Sequence, residues 1–187
     1  MPDVQLTGLE LDPALVTYAT MNAALNGWPA IQAHFVAGDV RTKKALPANH
    51  YDHVVCNPPY YQSGAWSTAK NAGRARALGA VAGDAHLADW IACAHRALAP
   101  RGCLTMIHRA DQLDQIIQAL GPRFGALEVW PIHSFAGEAA SRVIVRARKD
   151  RKTGLTLHMG LIMHDDNKAW TAHARAILEA AAPLMGE

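Results

Sequence analysis

The stretch Tyr51-Asp52-His53-Val54-Val55-Cys56-Asn57-Pro58-Pro59-Tyr60 is a short apolar run that ends in two consecutive prolines. Proline has no backbone N–H and cannot continue a strand ladder, so the chain must turn after Cys56. The turn leaves the Pro58 carbonyl without a ladder or helical partner, next to an Asn side chain and an aromatic ring. The stretch therefore predicts a strand over residues 51–56 whose end carries polar groups.

Strands and helices alternate before and after this stretch. Residues 4–9 and 31–37 are β-like, and between them Asp12 and Pro13 are a typical N-cap and first residue of a helix that extends to about residue 26. After the turn, apolar residues recur at helical spacing over 84–98 and a β-like run follows over 103–107. We expect Asp111 to cap the next helix and Gly121 to end it.

The C-terminal third has a different pattern. Residues 127–132 and 142–148 are both β-like with no helix between them, which predicts an antiparallel pair. Residues 155–163 could add further β-structure, and residues 170–185 predict a final helix. The whole chain of 187 residues therefore predicts a single α/β domain, with a mostly parallel sheet and an antiparallel C-terminal hairpin.

Polar residues follow three of the predicted strands. Glu10 and Asp39 come directly after the first two strands, and Asn57 follows the third. Sheets of this type bind ligands at the carboxyl ends of their strands, so these side chains are candidates for one shared site. Each taken alone could also be an ordinary turn residue, and Asn-Pro and Pro-Pro are common in loops.

The chemistry available to residues 57–60 is hydrogen bonding to an amino group on an aromatic ring. The lone pair of such a nitrogen is conjugated with the ring, which makes it a poor nucleophile. The Asn57 side-chain oxygen and the Pro58 carbonyl could accept hydrogen bonds from its two N–H groups and favour tetrahedral geometry at the nitrogen. Tyr60 could stack on the ring. Acceleration would come from in-line positioning and fixed dipoles, with no strong general base.

This motif resembles that of class I S-adenosylmethionine-dependent amino-methyltransferases, which act on adenine N6, guanine N2 or a glutamine amide. Together with residues 98–102, residues 107–111 (Ile-His-Arg-Ala-Asp), residues 141–147 and residues 161–164, it is similar to the bacterial tRNA adenine-N6 methyltransferase family. The resemblance implies a Rossmann-like fold and S-adenosylmethionine as cofactor. It also implies a cytoplasmic enzyme with a tRNA substrate.

The resemblance also implies roles for individual residues. Glu10 with Leu11 would bind the cofactor ribose, Asp39 with Val40 would bind the cofactor adenine, and Asn57 would contact both cofactor and substrate. The residues implied in catalysis are Asn57, Pro58 and Tyr60. Those expected to contact the substrate or RNA are Pro59, Tyr61, Lys70, Arg74 and Arg76, although a solvated loop is an equal alternative for the three basic residues.

The family begins with a strand and a glycine-rich loop that cradles the methionine part of the cofactor. Nothing before Val4 could form that strand, and no glycine-rich fingerprint occurs elsewhere. We therefore expect the first strand and its loop to be missing from this chain. The expected consequence is a gap between the strands that end at Glu10 and Cys56, with half of the cofactor pocket absent.

Composition leaves the function class open. The net charge of +2 permits a nucleic-acid partner without requiring one, and no apolar run is long enough to span a bilayer. The three cysteines and ten histidines lack metal-ligand spacing, which favours reduced thiols and structural histidines, His108 and His133 among them. Two alternatives remain: a protein glutamine-amide methyltransferase and a non-catalytic RNA-binding remnant.

Overall fold

The computed structural model describes residues 4–59 and 85–184, which form two sheets and four helices. The strands are β1 Leu6–Glu10, β2 Ala33–Ala37, β3 Tyr51–Cys56, β4 Leu98–Arg109, β5 Phe124–His133, β6 Ala140–Lys149, β7 Leu155–Leu157 and β8 Leu161–Ile162. The helices are α1 Pro13–Leu25, α2 Leu87–Ala97, α3 Leu113–Leu120 and α4 Ala172–Ala180.

The larger sheet has six strands, in the order β3-β4-β6-β5-β7, with β8 also paired to β5. Strands β3 and β4 are parallel, and β7 and β8 are both parallel to β5. Strand β6 is antiparallel to β5, as the sequence predicted for residues 127–132 and 142–148, and it is also antiparallel to β4. Because β6 enters between β4 and β5, the hairpin completes the sheet centre and does not extend its edge.

The smaller sheet contains only β1 and β2, which pair in parallel with Glu10 opposite Ala37. It is separate from β3, so the expected interruption between the strands ending at Glu10 and Cys56 is present. A cavity of about 450 Å³ lies between them, lined by residues 4–9 on one side and by β3 on the other. Within the described part of the chain β3 pairs only with β4, and Val55 on β3 is 80% exposed.

Helix α1 begins as the sequence predicted. The Asp12 side chain accepts a hydrogen bond of 2.9 Å from the Ala14 backbone N–H, with Pro13 at the first helical position. The start of α3 was predicted wrongly, because Asp111 lies in a 3-10 turn and its carboxylate pairs with the Arg109 guanidinium. Asp111 therefore forms an ion pair with the last residue of β4 and does not cap α3.

The hydrophobic core lies between the larger sheet and helices α2 and α3. Its members include Leu104 and Met106 from β4, and Ile116 and Leu120 from α3, each at most 1% exposed. Ile117, next to Ile116 on α3, is 37% exposed, because α3 presents a narrow apolar stripe to the sheet. None of the described helices is both long and apolar enough to cross a membrane.

Candidate functional site

A cavity of about 400 Å³ lies at the carboxyl ends of β1, β2 and β3. Its size is within the range of small-molecule sites. Six residues named from the sequence line it, two from the end of each of these strands: Glu10, Leu11, Asp39, Val40, Asn57 and Pro59. Three chain segments that are far apart in sequence therefore meet at one place, as the strand-end rule predicted.

Glu10 is held at the end of β1 by its own turn. Its Oε1 atom accepts a 3.0 Å hydrogen bond from the Asp12 backbone N–H, and the side chain is half-buried. The same turn places the Asp12 carboxylate over the start of α1. Glu10 is therefore a fixed acceptor on the cavity wall, while Asp12 serves the helix, as the sequence indicated.

Asp39 is fixed by Arg41. Its Oδ1 atom accepts a 2.8 Å hydrogen bond from the Arg41 backbone N–H, and both carboxylate oxygens lie 3.0 Å from the Arg41 Nε. These contacts hold the pKa of the Asp39 carboxyl below its ordinary value, with the side-chain hydrogen bond the largest cause. Asp39 is therefore ionised at neutral pH, and a ligand must share this carboxylate with Arg41.

Replacing Arg41 by Ala is expected to raise the pKa of Asp39 part of the way to its ordinary value of 3.8. The rise is partial because the backbone N–H at position 41 still donates. The folded carboxyl titrates below the unfolded one, so its stabilisation is present above the unfolded pKa and is lost as the pH falls through the folded pKa. Carbon-detected NMR titration of Asp39 measures the shift. Arg148→Ala, at an exposed arginine, is the control, and an unchanged Asp39 titration in Arg41→Ala would contradict the assignment.

The turn after β3 has one exposed and one buried side. Asn57 is exposed into the cavity, Pro58 is less than 2% exposed, and Pro59 is half-buried. Burial raises the pKa of the neighbouring Cys56 thiol to about 12, with a smaller contribution from Cys93. The Cys56 thiol is therefore protonated at neutral pH and is not a nucleophile. The described groups of this turn that can contact a substrate are hydrogen-bond acceptors.

Residues 1–114, more than half of the chain, match the family described as N-6 DNA Methylase. The chain belongs to this family. It is thus a member of the S-adenosylmethionine-dependent methyltransferases, and its α/β fold agrees with this membership. The match contains β1, β2, β3 and the 400 Å³ cavity in full, and ends within α3.

Two curated relatives are tRNA1(Val) (adenine(37)-N6)-methyltransferases. The Actinobacillus succinogenes enzyme is 28% identical over 90% of this chain and 68% of its own length. The Yersinia pestis (strain Pestoides F) enzyme is 30% identical over 58% of this chain and 42% of its own. A crystal structure described as a predicted O-methyltransferase from Agrobacterium tumefaciens has a TM-score of 0.77 and 27% identity, covering 97% of this chain and 80% of that one.

These relatives differ in the acceptor atom that their names give, nitrogen in the first two and oxygen in the third. Family membership therefore establishes methyl transfer but not the substrate. Among the described residues of this family member, no group of three or more His, Cys, Asp or Glu could hold a metal ion.

Several residues named from the sequence lie outside the described part of the chain: Tyr60, Tyr61, Lys70, Arg74 and Arg76. A second basic stretch, residues 146–152, lies within the described part of the chain. The Arg146 guanidinium pairs with Glu128 on β5, and Lys149 is buried at 6% exposure. Lys149 is therefore not available for an RNA contact at the surface, because its ammonium faces the protein interior.

Arg41 and Trp90 are among the residues lining this methyltransferase cavity that were not anticipated as site residues. Arg41 follows Asp39 by two positions, a spacing that could have suggested an ion pair. Trp90 on α2 lines both the 400 Å³ cavity and the 450 Å³ cavity between the sheets. Trp90 is one of the apolar residues that recur at helical spacing over 84–98, and periodicity alone could not show that it reaches a cavity.

Proposed function

We propose that this protein transfers a methyl group from S-adenosylmethionine to the N6 atom of an adenosine in tRNA. The observation that supports the proposal is the shared cavity, whose lining includes the Glu10 and Asp39 carboxylates and Asn57. This arrangement provides acceptors for a cofactor and for an acceptor amino group within one space. Family membership indicates methyl transfer as the reaction, and Asn57 in the cavity favours a nitrogen atom as the methyl acceptor.

The two carboxylates suit the adenosine part of the cofactor. Glu10 is a fixed acceptor suited to ribose hydroxyls, and Asp39 is an acceptor suited to an adenine amino group. Parallel pairing of β1 with β2 puts the two carboxylates at the same sheet edge. Residues Leu11, Leu15 and Val40 line the same cavity and offer apolar contact to the adenine ring.

Asn57 suits an amino group as the methyl acceptor. S-adenosylmethionine supplies an electrophilic methyl group, and the acceptor nitrogen must release its lone pair from the ring to attack it. The Asn57 side-chain oxygen, together with the Pro58 carbonyl of the same turn, can accept hydrogen bonds from the two N–H groups and favour that geometry. A hydroxyl acceptor would have one O–H, so this pair of acceptors favours nitrogen over oxygen.

A tRNA substrate is supported by the names of the relatives and by the chemistry of the base. An adenine inside a stacked loop cannot reach a cavity of this kind, so it would have to be flipped out of the stack. An adenine amino group in the cavity would then meet Asn57. The net charge of +2 is compatible with RNA as a partner.

The test is a methyl-transfer assay with radiolabelled S-adenosylmethionine, presenting unmodified tRNA and a glutamine-containing protein acceptor in separate reactions. Label in N6-methyladenosine after tRNA digestion, and none in protein, supports the proposal. Label on a glutamine amide alone would replace it with the protein methyltransferase. RNA binding without cofactor binding or label transfer would instead identify a non-catalytic remnant.

A further inference from the structure

An aromatic cluster lies just beyond the carboxyl end of β8. Trp170 stacks on His164, with ring centroids 4.5 Å apart and an angle of 24° between the ring planes. Phe135 contacts the same imidazole, with ring centroids 5.4 Å apart. Trp170 is nevertheless 42% exposed, whereas Trp130 on β5 is 5% exposed. The Trp170 indole is therefore supported by the protein and still open to solvent over part of its surface.

The turn that carries Trp170 is held by its own hydrogen bonds. His164 and Trp170 pair across an antiparallel bridge at the base of the turn. The Asp165 carboxylate accepts hydrogen bonds of 2.9 and 3.0 Å from the Asn167 and Ala169 backbone N–H groups. Because the indole and its support are already ordered, a ligand that stacks on Trp170 would lose little affinity to the ordering of this turn.

The cluster lies at the same edge of the larger sheet as the Asn57 turn. Strands β3, β4, β5 and β8 all run in one direction, so Asn57 and His164 both follow carboxyl ends. Four strand spacings separate β3 from β8, which amounts to about 20 Å. A stacked nucleic-acid strand advances about 3.4 Å per nucleotide, so about six nucleotides would cover this distance.

Arg142 carries a positive charge between these two places. It is an exposed residue near the start of β6, paired with Arg109 of β4 on one side and with Ile132 of β5 on the other. The Arg109 guanidinium pairs with Asp111, so the net charge of this group of three residues is that of Arg142. A cation next to an aromatic surface suits the phosphates and bases of RNA better than the apolar surface of a protein.

We propose that Trp170 is a stacking platform for an unpaired nucleotide of the RNA substrate, a few nucleotides along the strand from the adenosine that enters the cavity. Arg142 contacts the phosphates between the two. The inference rests on the function proposed above and adds to it a second place where the RNA is held. Since every base has a π-face, the platform accepts any base and fixes where the RNA lies without reading its sequence.

The experiment measures binding of unmodified tRNA to the full chain by fluorescence anisotropy, and compares Trp170→Leu with Trp170→Phe. Leu keeps an apolar side chain against His164 without a π-face, whereas Phe keeps the π-face. We expect the Kd for tRNA to rise by about fivefold to 100-fold in the Leu variant and by less than about threefold in the Phe variant. Met159→Ala is the control, because Met159 is a 99% exposed apolar residue before β8, and its Kd should equal that of the wild type.

Salt dependence separates the two contacts. Stacking neutralises no phosphate, so Trp170→Leu should leave the slope of log Kd against log salt concentration unchanged. Arg142→Ala removes one phosphate contact and should reduce that slope by about 0.7, the value for one charge on a single strand. A reduced slope in Trp170→Leu, or an unchanged slope in Arg142→Ala, would contradict the assignment of stacking to one residue and phosphate contact to the other.

Equal Kd values for the Leu variant and the wild type, or equal losses in the Leu and Phe variants, would overturn the inference, as would a wild type that binds no tRNA. A second readout uses the indole itself: bound tRNA should quench tryptophan fluorescence more in the wild type than in Trp170→Phe, and equal quenching would also overturn it. Failure of the proposed function looks different, because the wild type would then bind tRNA and label none of its adenosines.

Discussion

Replacing Asn57 by Ala is expected to lower the rate of methyl transfer by about 100-fold to 1,000-fold, the usual cost of removing one preorganised polar group from a reacting centre. The variant loses the side-chain oxygen that would accept a hydrogen bond from an N–H of the substrate amino group. Cofactor affinity should change far less, because the Glu10 and Asp39 carboxylates remain on the cavity wall. Single-turnover kinetics at saturating cofactor, with calorimetry of cofactor binding, measure the two effects separately.

The fold of this variant should be intact, because Asn57 is exposed and the turn is anchored through Pro58. Asn167→Ala is the matched control, since Asn167 is an exposed residue of a tight turn far along the chain from this cavity. We expect the control to keep wild-type turnover. If Asn57→Ala also keeps it, the reaction does not depend on this side chain and the proposed geometry is wrong.

The parts of the fold that the sequence predicted well are those decided by local chemistry. Residues 51–56 were predicted as a strand and are β3, because an apolar run followed by two prolines has few other options. Helix α1 was predicted from its Asp-Pro start and is capped by Asp12. The meeting of Glu10, Asp39 and Asn57 followed from the rule that parallel strands share a carboxyl edge.

The features that the sequence did not reveal depend on contacts between distant residues. Strand β4 begins at Leu98, five residues before the predicted start, because the segment around Pro100 and Arg101 continues beside β3 with a shift in register. Periodicity within one segment carries no information about such partners.

Lys149 is the clearest case of a residue whose environment the sequence concealed. It belongs to a basic stretch, yet its ammonium is buried and donates 2.7 Å hydrogen bonds to the Asn49 side-chain oxygen and the Leu98 carbonyl. Leu98 is the C-cap residue of α2, where helix carbonyls lack intrahelical partners and a positive charge is favourable. Lys149 therefore ties the end of β6 to the end of α2 and to the loop before β3.

Replacing Lys149 by Met is expected to lower the free energy of unfolding by about 1–3 kcal/mol. Met keeps most of the side-chain volume, but the Leu98 carbonyl and the Asn49 oxygen lose their donor, and the end of α2 loses the nearby charge. The cost arises from polar groups left unsatisfied in the interior, since the packing changes little. Urea denaturation followed by circular dichroism gives the change from the midpoint and slope.

Arg148→Met is the matched control, because Arg148 is the adjacent basic residue and its side chain is exposed. Both variants remove one positive charge from neighbouring positions of β6, so a general effect of net charge would be the same in each. We expect the control to change the free energy of unfolding by less than about 0.5 kcal/mol, as exposed substitutions usually do. Equal effects of the two substitutions would mean that the buried ammonium adds nothing beyond its charge, and that α2 and β6 are joined by apolar packing alone.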